Sequence, residues 1–114
     1  MDYLLLIYED EKRFATQKED DFKTEMADYM NFGKEHAGII KGGNALQPTS
    51  TGKTVRVRGG KATTTDGPFA ETKEQLGGYY LVSAATPEEA LKAAAKIPGA
   101  KSGCVEVRPI MTFS

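Results

Sequence analysis

The sequence contains one cysteine, one histidine and no tryptophan among 114 residues. A lone Cys104 can form no internal disulfide and suits a reducing compartment. One His with one Cys cannot build a His/Cys zinc site within one chain, so neither metal nor cofactor is expected. No run of about 18 apolar residues is present to cross a membrane. The opening Met1-Asp2-Tyr3-Leu4-Leu5-Leu6-Ile7-Tyr8-Glu9-Asp10 also lacks the basic head and small-residue cleavage site of a signal peptide. The expectation is a cytoplasmic protein without membrane contact. Acid is missing from one stretch: residues 37–65 hold Lys41, Lys53, Arg56, Arg58 and Lys61 but no Asp or Glu, whereas residues 1–36 hold ten acids against five bases. The net charge of −1 therefore conceals a basic block behind an acidic one. Such a block can attract an anion or an acidic partner, or stay a solvated ribbon. A nucleic-acid role is disfavoured by a pI of about 5.8 and the absence of a recognised motif.

With 39% hydrophobic and 27% charged residues, the chain reads as one globular domain over residues 1–114. Tyr3 to Tyr8 is a short apolar run, apolar on both faces when read as a strand. Thr16 with Glu19 three residues on resembles a capping box, and Asp20 and Asp21 suit the start of the helix that follows. Phe22, Met26, Tyr29, Met30, Gly33 and Ala37 share one stripe of that helix, which is expected to form core. Gly38 is expected to cap its end, and Gly42 to Pro48 reads as irregular. Gly52-Lys53-Thr54 resembles the end of a phosphate-binding loop, but Gln47 stands where that motif needs Gly and a strand follows instead of a helix. Gly59-Gly60 between Thr54–Arg58 and Lys61–Thr65 signals a two-residue hairpin. In that register Arg56, Arg58 and Lys61 share a face, and Arg58 opposes Lys61 as a mildly unfavourable like-charge pair unless an acid or anion lies between them.

Asp66-Gly67-Pro68 is a sharp turn leading through Leu76-Gly77-Gly78 into a second two-faced apolar strand, Tyr79 to Val82. Thr86, Pro87 and Glu89 start a second helix, with Ala90, Leu91, Ala94, Ala95 and Ile97 on its inner face, and Cys104 to Arg108 alternates as the last strand. The order is βαββαβ, the ferredoxin-like α+β arrangement with an antiparallel sheet and both helices on one face. The other face needs a cover, and the simplest is a second copy packed sheet to sheet about a two-fold axis. A homodimer through the open sheet face is expected.

Thr65-Asp66-Gly67-Pro68-Phe69-Ala70-Glu71-Thr72-Lys73-Glu74, Leu76-Gly77-Gly78-Tyr79-Tyr80 and Val105-Glu106-Val107-Arg108-Pro109-Ile110 resemble the DGPF-domain branch of the YCII-related proteins. Tyr3-Leu4-Leu5-Leu6-Ile7-Tyr8 and Leu46-Gln47-Pro48-Thr49 extend the resemblance over essentially the whole chain. It implies a dimeric α+β barrel of ferredoxin-like protomers and no established reaction; some members are encoded beside sigma factors. An Asp–His pair is proposed as the acid–base site of the broader group. Asp66 can supply the carboxylate, but the middle of the first helix reads Met26-Ala27-Asp28-Tyr29-Met30, and His36 lies near the helix end.

Two function classes stand open. One is a small-molecule enzyme or binder with Asp66 and Glu71 for proton transfer, joined by Glu74 in an acidic cluster. Arg56 and Arg58 would then hold a small anionic ligand, with Tyr79 lining the cleft. The same residues also read as structure, Asp66 capping its turn and Glu71 and Glu74 pairing with Lys73 or Arg108. The other class is a dimeric regulatory or interaction module that uses the basic hairpin and performs no catalysis.

Overall fold

The computed structural model describes residues 1–113. Its six strands and four α-helices run β1 (Asp2–Glu9), α1 (Lys12–Thr16), α2 (Glu19–Glu35), β2 (Ile40–Ala45), β3 (Lys53–Arg58), β4 (Lys61–Asp66), β5 (Gln75–Ser83), α3 (Pro87–Ala95), α4 (Gly99–Ser102) and β6 (Cys104–Pro109), with a 3₁₀ turn at Thr49–Thr51. The main sheet has the order β2-β5-β1-β6, and all its pairings are antiparallel. This is the ferredoxin-like α+β order with β3 and β4 inserted as a separate two-stranded arm. No helix among the described residues is long and apolar enough to cross a membrane.

The period of two along β1 sorts its side chains. Tyr3, Leu5 and Ile7 are buried with Val82, against Phe32 of α2, Ala90, Ala93 and Ala94 of α3, and Ile97. The opposite face carries Leu4, Leu6 and Tyr8 beside Tyr79 and Leu81, and the buried residues of α2 and α3 lie with the first set. Thr86 caps α3 by accepting a hydrogen bond from the Glu89 N–H at 3.2 Å, with Pro87 in the first turn. Thr86→Ala is expected to cost about 1 kcal/mol in a urea unfolding series, because the cap satisfies one of the four orphan N–H groups of that helix end.

Several local expectations change. Thr16 ends α1 and donates its hydroxyl to the Arg13 carbonyl, so α2 begins after Lys18 with no side-chain cap and no capping box. The segment after β1 already winds into α1, whose fifth and last residue is Thr16, and that takes Thr16 out of the capping position. The Gly42 to Ala45 stretch is not irregular: it pairs with Leu81 to Gly78 as an edge strand, since main-chain bonding at a sheet edge needs no particular side chain. The apolar stripe of α2 is not core along its length. Phe22 is 52% exposed and Met26 and Met30 are exposed too, while Phe32, off the stripe, is the buried anchor. On α3, Leu91 and Ala95 face outward and Ala93 takes the inner position.

The arm follows the expected register, Val57 opposite Ala62 and Arg58 opposite Lys61, turned by Gly59 and Gly60 at φ +58° and +78°.

Candidate functional site

β1 carries its inward alternation one residue further than its apolar run. After Tyr3, Leu5 and Ile7, the next residue on the core face is Glu9, which is only 7% exposed. A carboxylate so placed needs partners, and α1 and α4 bring them. Arg13, the second residue of α1, donates through Nη2 to Glu9 Oε1 at 2.8 Å and to Glu25 Oε1 of α2 at 2.7 Å. Ser102 at the end of α4 donates to Glu9 Oε1 at 2.6 Å, and Gln17 donates to Glu25 Oε2 at 2.7 Å. Burial works against the Arg13 charge, but the bond to Glu25 and the nearby Glu9 outweigh it and hold the guanidinium more firmly protonated than usual.

Tyr29 joins this cluster from α2, one turn beyond Glu25. Its phenolic oxygen accepts the Gly99 N–H at 3.2 Å, which leaves its own O–H to donate. A Cβ at Gly99 would lie 2.8 Å from that phenolic oxygen, 2.9 Å from Ile7 Cγ2 and 3.1 Å from Glu9 Oε1. Glycine is required here for α4 to close over the pair. Burial, with the Glu9 and Glu25 carboxylates alongside, pushes the Tyr29 phenol up from 10.0 to about 12. Because the folded value lies above the unfolded one, the stability this group contributes is present below about pH 10 and is lost as pH rises toward 12. An ultraviolet titration should therefore show a late tyrosine transition that Tyr29→Phe removes.

Glu9 and Tyr29 reach the inner end of a cavity of about 470 Å³. Its floor is Ile7, Gly78 and Tyr80 of the sheet with Gly43 to Ala45 at the β2 edge, and its walls are Phe14, Phe22, Met26 and Leu46. Phe22 and Met26 line this cavity in place of packing as core: the sheet residues that border it with them include Gly43, Gly77 and Gly78. Glu25 also borders a polar groove of about 550 Å³ on the other side of α2, where Asp21, Asp28 and Glu35 face Lys96 and Lys101. Among the described residues no group of three or more His, Cys, Asp or Glu is arranged to hold a metal ion.

The residues singled out from sequence lie mostly elsewhere. Asp66 sits at the base of the arm, its side chain 86% exposed and paired with Lys53 Nζ at 2.6 Å, the residue opposite it in the ladder. Glu71 and Glu74 are exposed in the segment after the turn, and Arg108 pairs with Glu106 on its own strand. Arg56 and Arg58 project from the arm, with Arg58 Nη1 donating to the Val57 carbonyl. Tyr79 alone of the named candidates borders the cavity through its place in β5, while its side chain lies on the opposite sheet face beside Leu6, its hydroxyl accepting from Asn44 Nδ2 at 2.9 Å. His36 ends α2, its ring stacked on Phe32 at 4.4 Å and its Nδ1 3.0 Å from the Phe32 carbonyl oxygen. Glu9 and Arg13 were open to sequence reading: Glu9 continues a period-two face, and Arg13 follows four residues on. Glu25 and Tyr29 lie four apart on one helix, but nothing local points them at Glu9 or at Ser102.

The family model for the YCII-related domain matches residues 1–114. An uncharacterised protein of Rhizobium meliloti (strain 1021) is 35% identical over 115 residues, which span 97% of this chain and 93% of that protein. Among solved structures, 5-chloro-2-hydroxyhydroquinone dehydrochlorinase from Burkholderia phenoliruptrix AC1100, in complex with 2,5-dihydroxybenzoquinone, superposes with a TM-score of 0.60 at 13% identity. The match covers 99% of this chain and 96% of that one, a likeness of fold.

Proposed function

The chain belongs to the YCII-related family, and from that premise we propose that it is a small-molecule enzyme whose site is the cavity between α2 and the sheet. The observation that carries this reading is the pairing of cavity-facing apolar side chains, Phe14, Phe22, Met26 and Leu46, with a half-buried Tyr29 phenol and a buried Glu9 at the inner end. A volume of about 470 Å³ falls within the usual range for ligand sites. The occupant is an uncharged six-membered ring bearing hydroxyl or carbonyl groups. The apolar walls take its faces, and the two carboxylates balanced by one guanidinium disfavour an added negative charge. Tyr29 acts as proton donor to a ring oxygen or departing group, because its oxygen accepts the Gly99 N–H and its O–H is left to donate. The fold neighbour's work on a chlorinated hydroxyquinol lends this substrate class support.

The test is a panel of hydroxylated aromatic compounds and quinones, chlorinated members included, followed by absorbance for turnover. Tyr29→Phe is expected to reduce turnover by roughly 10²–10⁴-fold while ligand binding persists. Unchanged turnover in that variant, or a panel with no binder at millimolar concentration, would count against the reading. Proton transfer by Asp66 and Glu71, or anion binding by Arg56 and Arg58, would require another surface laid over the arm.

That surface is a second copy. The face of Leu4, Leu6, Tyr8, Tyr79 and Leu81 lies opposite the helices; Leu6 is already buried among its neighbours, and a two-fold pairing would cover the other four, which are half-buried. Sedimentation of a stable monomer at micromolar concentration would contradict this. The free Cys104 thiol suits the reducing cytoplasm as the place of work.

A further inference from the structure

We infer that the β3–β4 arm is a clasp that closes on a second copy of this chain, its tip seated on the acidic face of the partner's α2. The inference rests on the proposed dimer. Two strands alone are marginally stable in water, and β3 and β4 form a sheet of their own, joined to no other strand. Val55 and Val57 share one face of the arm with Ala62 and Thr64 and remain 61% and 59% exposed. The chain as a whole has a radius of gyration of 16.2 Å, against about 13 Å for a compact domain of this length. An element that extends the molecule this far, with β-branched apolar residues in water, is built to be covered.

Charge identifies the cover. At the tip, Arg58 stands directly across from Lys61, and Arg56 lies on the same face. Like charges in that position repel, and the arm's own carboxylate, Asp66, is at its base on the other face with Lys53. An acidic surface brought to the tip would turn the repulsion into attraction. This chain carries one: besides Glu25, which Arg13 and Gln17 hold, and Glu19, which pairs with Lys23, α2 bears Asp20, Asp21, Asp28 and Glu35 against Lys34. Glu19, Asp20 and Asp21 are exposed in its first turn. Two copies related by a two-fold axis would satisfy both tips at once, and a closed symmetric pair leaves no charged surface to extend into a filament.

The experiment is sedimentation equilibrium of the full chain at 50 and 500 mM salt. It compares wild type with Val55→Asp/Val57→Asp, with Arg58→Glu/Lys61→Glu, and with Leu81→Glu on the open sheet face. The wild type is expected to be a dimer that weakens with salt. Each arm variant should dimerise at least tenfold more weakly while its circular dichroism spectrum is unchanged. Adding Asp20→Lys/Asp21→Lys to the Arg58→Glu/Lys61→Glu variant should restore the constant. If Leu81→Glu breaks the dimer and both arm variants keep the wild-type constant, the sheet dimer stands and the clasp is overturned. A monomeric wild type overturns both, whether or not its arm then binds a polyanion such as DNA.

Discussion

Gly103→Ala is expected to destabilise the fold by about 4 kcal/mol or more, in the range reserved for severe core disruptions. A Cβ at this position would lie 2.0 Å from the Tyr8 carbonyl oxygen and 3.1 Å from Glu9 Cα. Both are main-chain atoms of β1, a strand held between β5 and β6, so neither can swing aside as a side-chain tip would. Gly103 also joins α4 to β6, donating its N–H to the Gly99 carbonyl at 2.8 Å just before Cys104 pairs with Tyr8. Relief of the clash would pull β6 away from β1 and shift Ser102 off Glu9, so the damage reaches the site. Gly33→Ala is the control. Nothing lies within 4 Å of a Cβ there, and alanine is the better helix former, so that variant should gain up to about 1 kcal/mol. Urea unfolding of the pair checks both, and equal stability of the two variants would contradict the close approach.

Arg13→Met is the second large effect, with an expected loss of about 3 kcal/mol. The methionine replaces the apolar stem, so the experiment removes charge more than volume. In the wild type one guanidinium nitrogen serves Glu9 and Glu25 together, and the Glu9 side chain is about one-tenth exposed. Without Arg13 two carboxylates face each other across the inner end of the cavity with only Ser102 and Gln17 to bond them. The loss comes from stranding those charges, not from the intrinsic worth of an ion pair. A second change, Glu9→Gln in the same chain, should recover part of it, since the amide still accepts the Ser102 bond and removes one charge. Stability of Arg13→Met within about 0.5 kcal/mol of wild type would place this contact among ordinary surface pairs.

The elements most legible in the sequence are those whose geometry is set by neighbours along the chain. Gly59-Gly60 fixed the arm register pair by pair, because a two-residue turn leaves no freedom in which residues face each other. Thr86 and Pro87 marked the start of α3 for the same local reason. The α2 stripe misled because periodicity says which residues share a face and not whether anything lies beneath it. Under Phe22 and Met26 the sheet presents Gly78 and the glycine-rich β2, and the stripe there became a cavity wall. Asp66 drew attention as an acid beside Gly and Pro, yet strand pairing set it opposite Lys53, a partner thirteen residues away that turn chemistry alone does not reveal. The site itself joins Glu9, Arg13, Glu25, Tyr29 and Ser102, and its longest link, Ser102 to Glu9, spans 93 residues. Only the Glu9 alternation and the Arg13 spacing were visible before folding.

The most direct measurement is a methionine-methyl NMR titration of the labelled protein with hydroxylated aromatic compounds and quinones. Four methionines give four probes, and only Met26 among Met1, Met26, Met30 and Met111 lines the cavity. The account predicts that a binding compound moves the Met26 methyl signal most and leaves Met1 and Met111 in place. Binding that moves Met111 or Met1 while Met26 stays fixed, or no movement of Met26 by any compound, would contradict a site between α2 and the sheet.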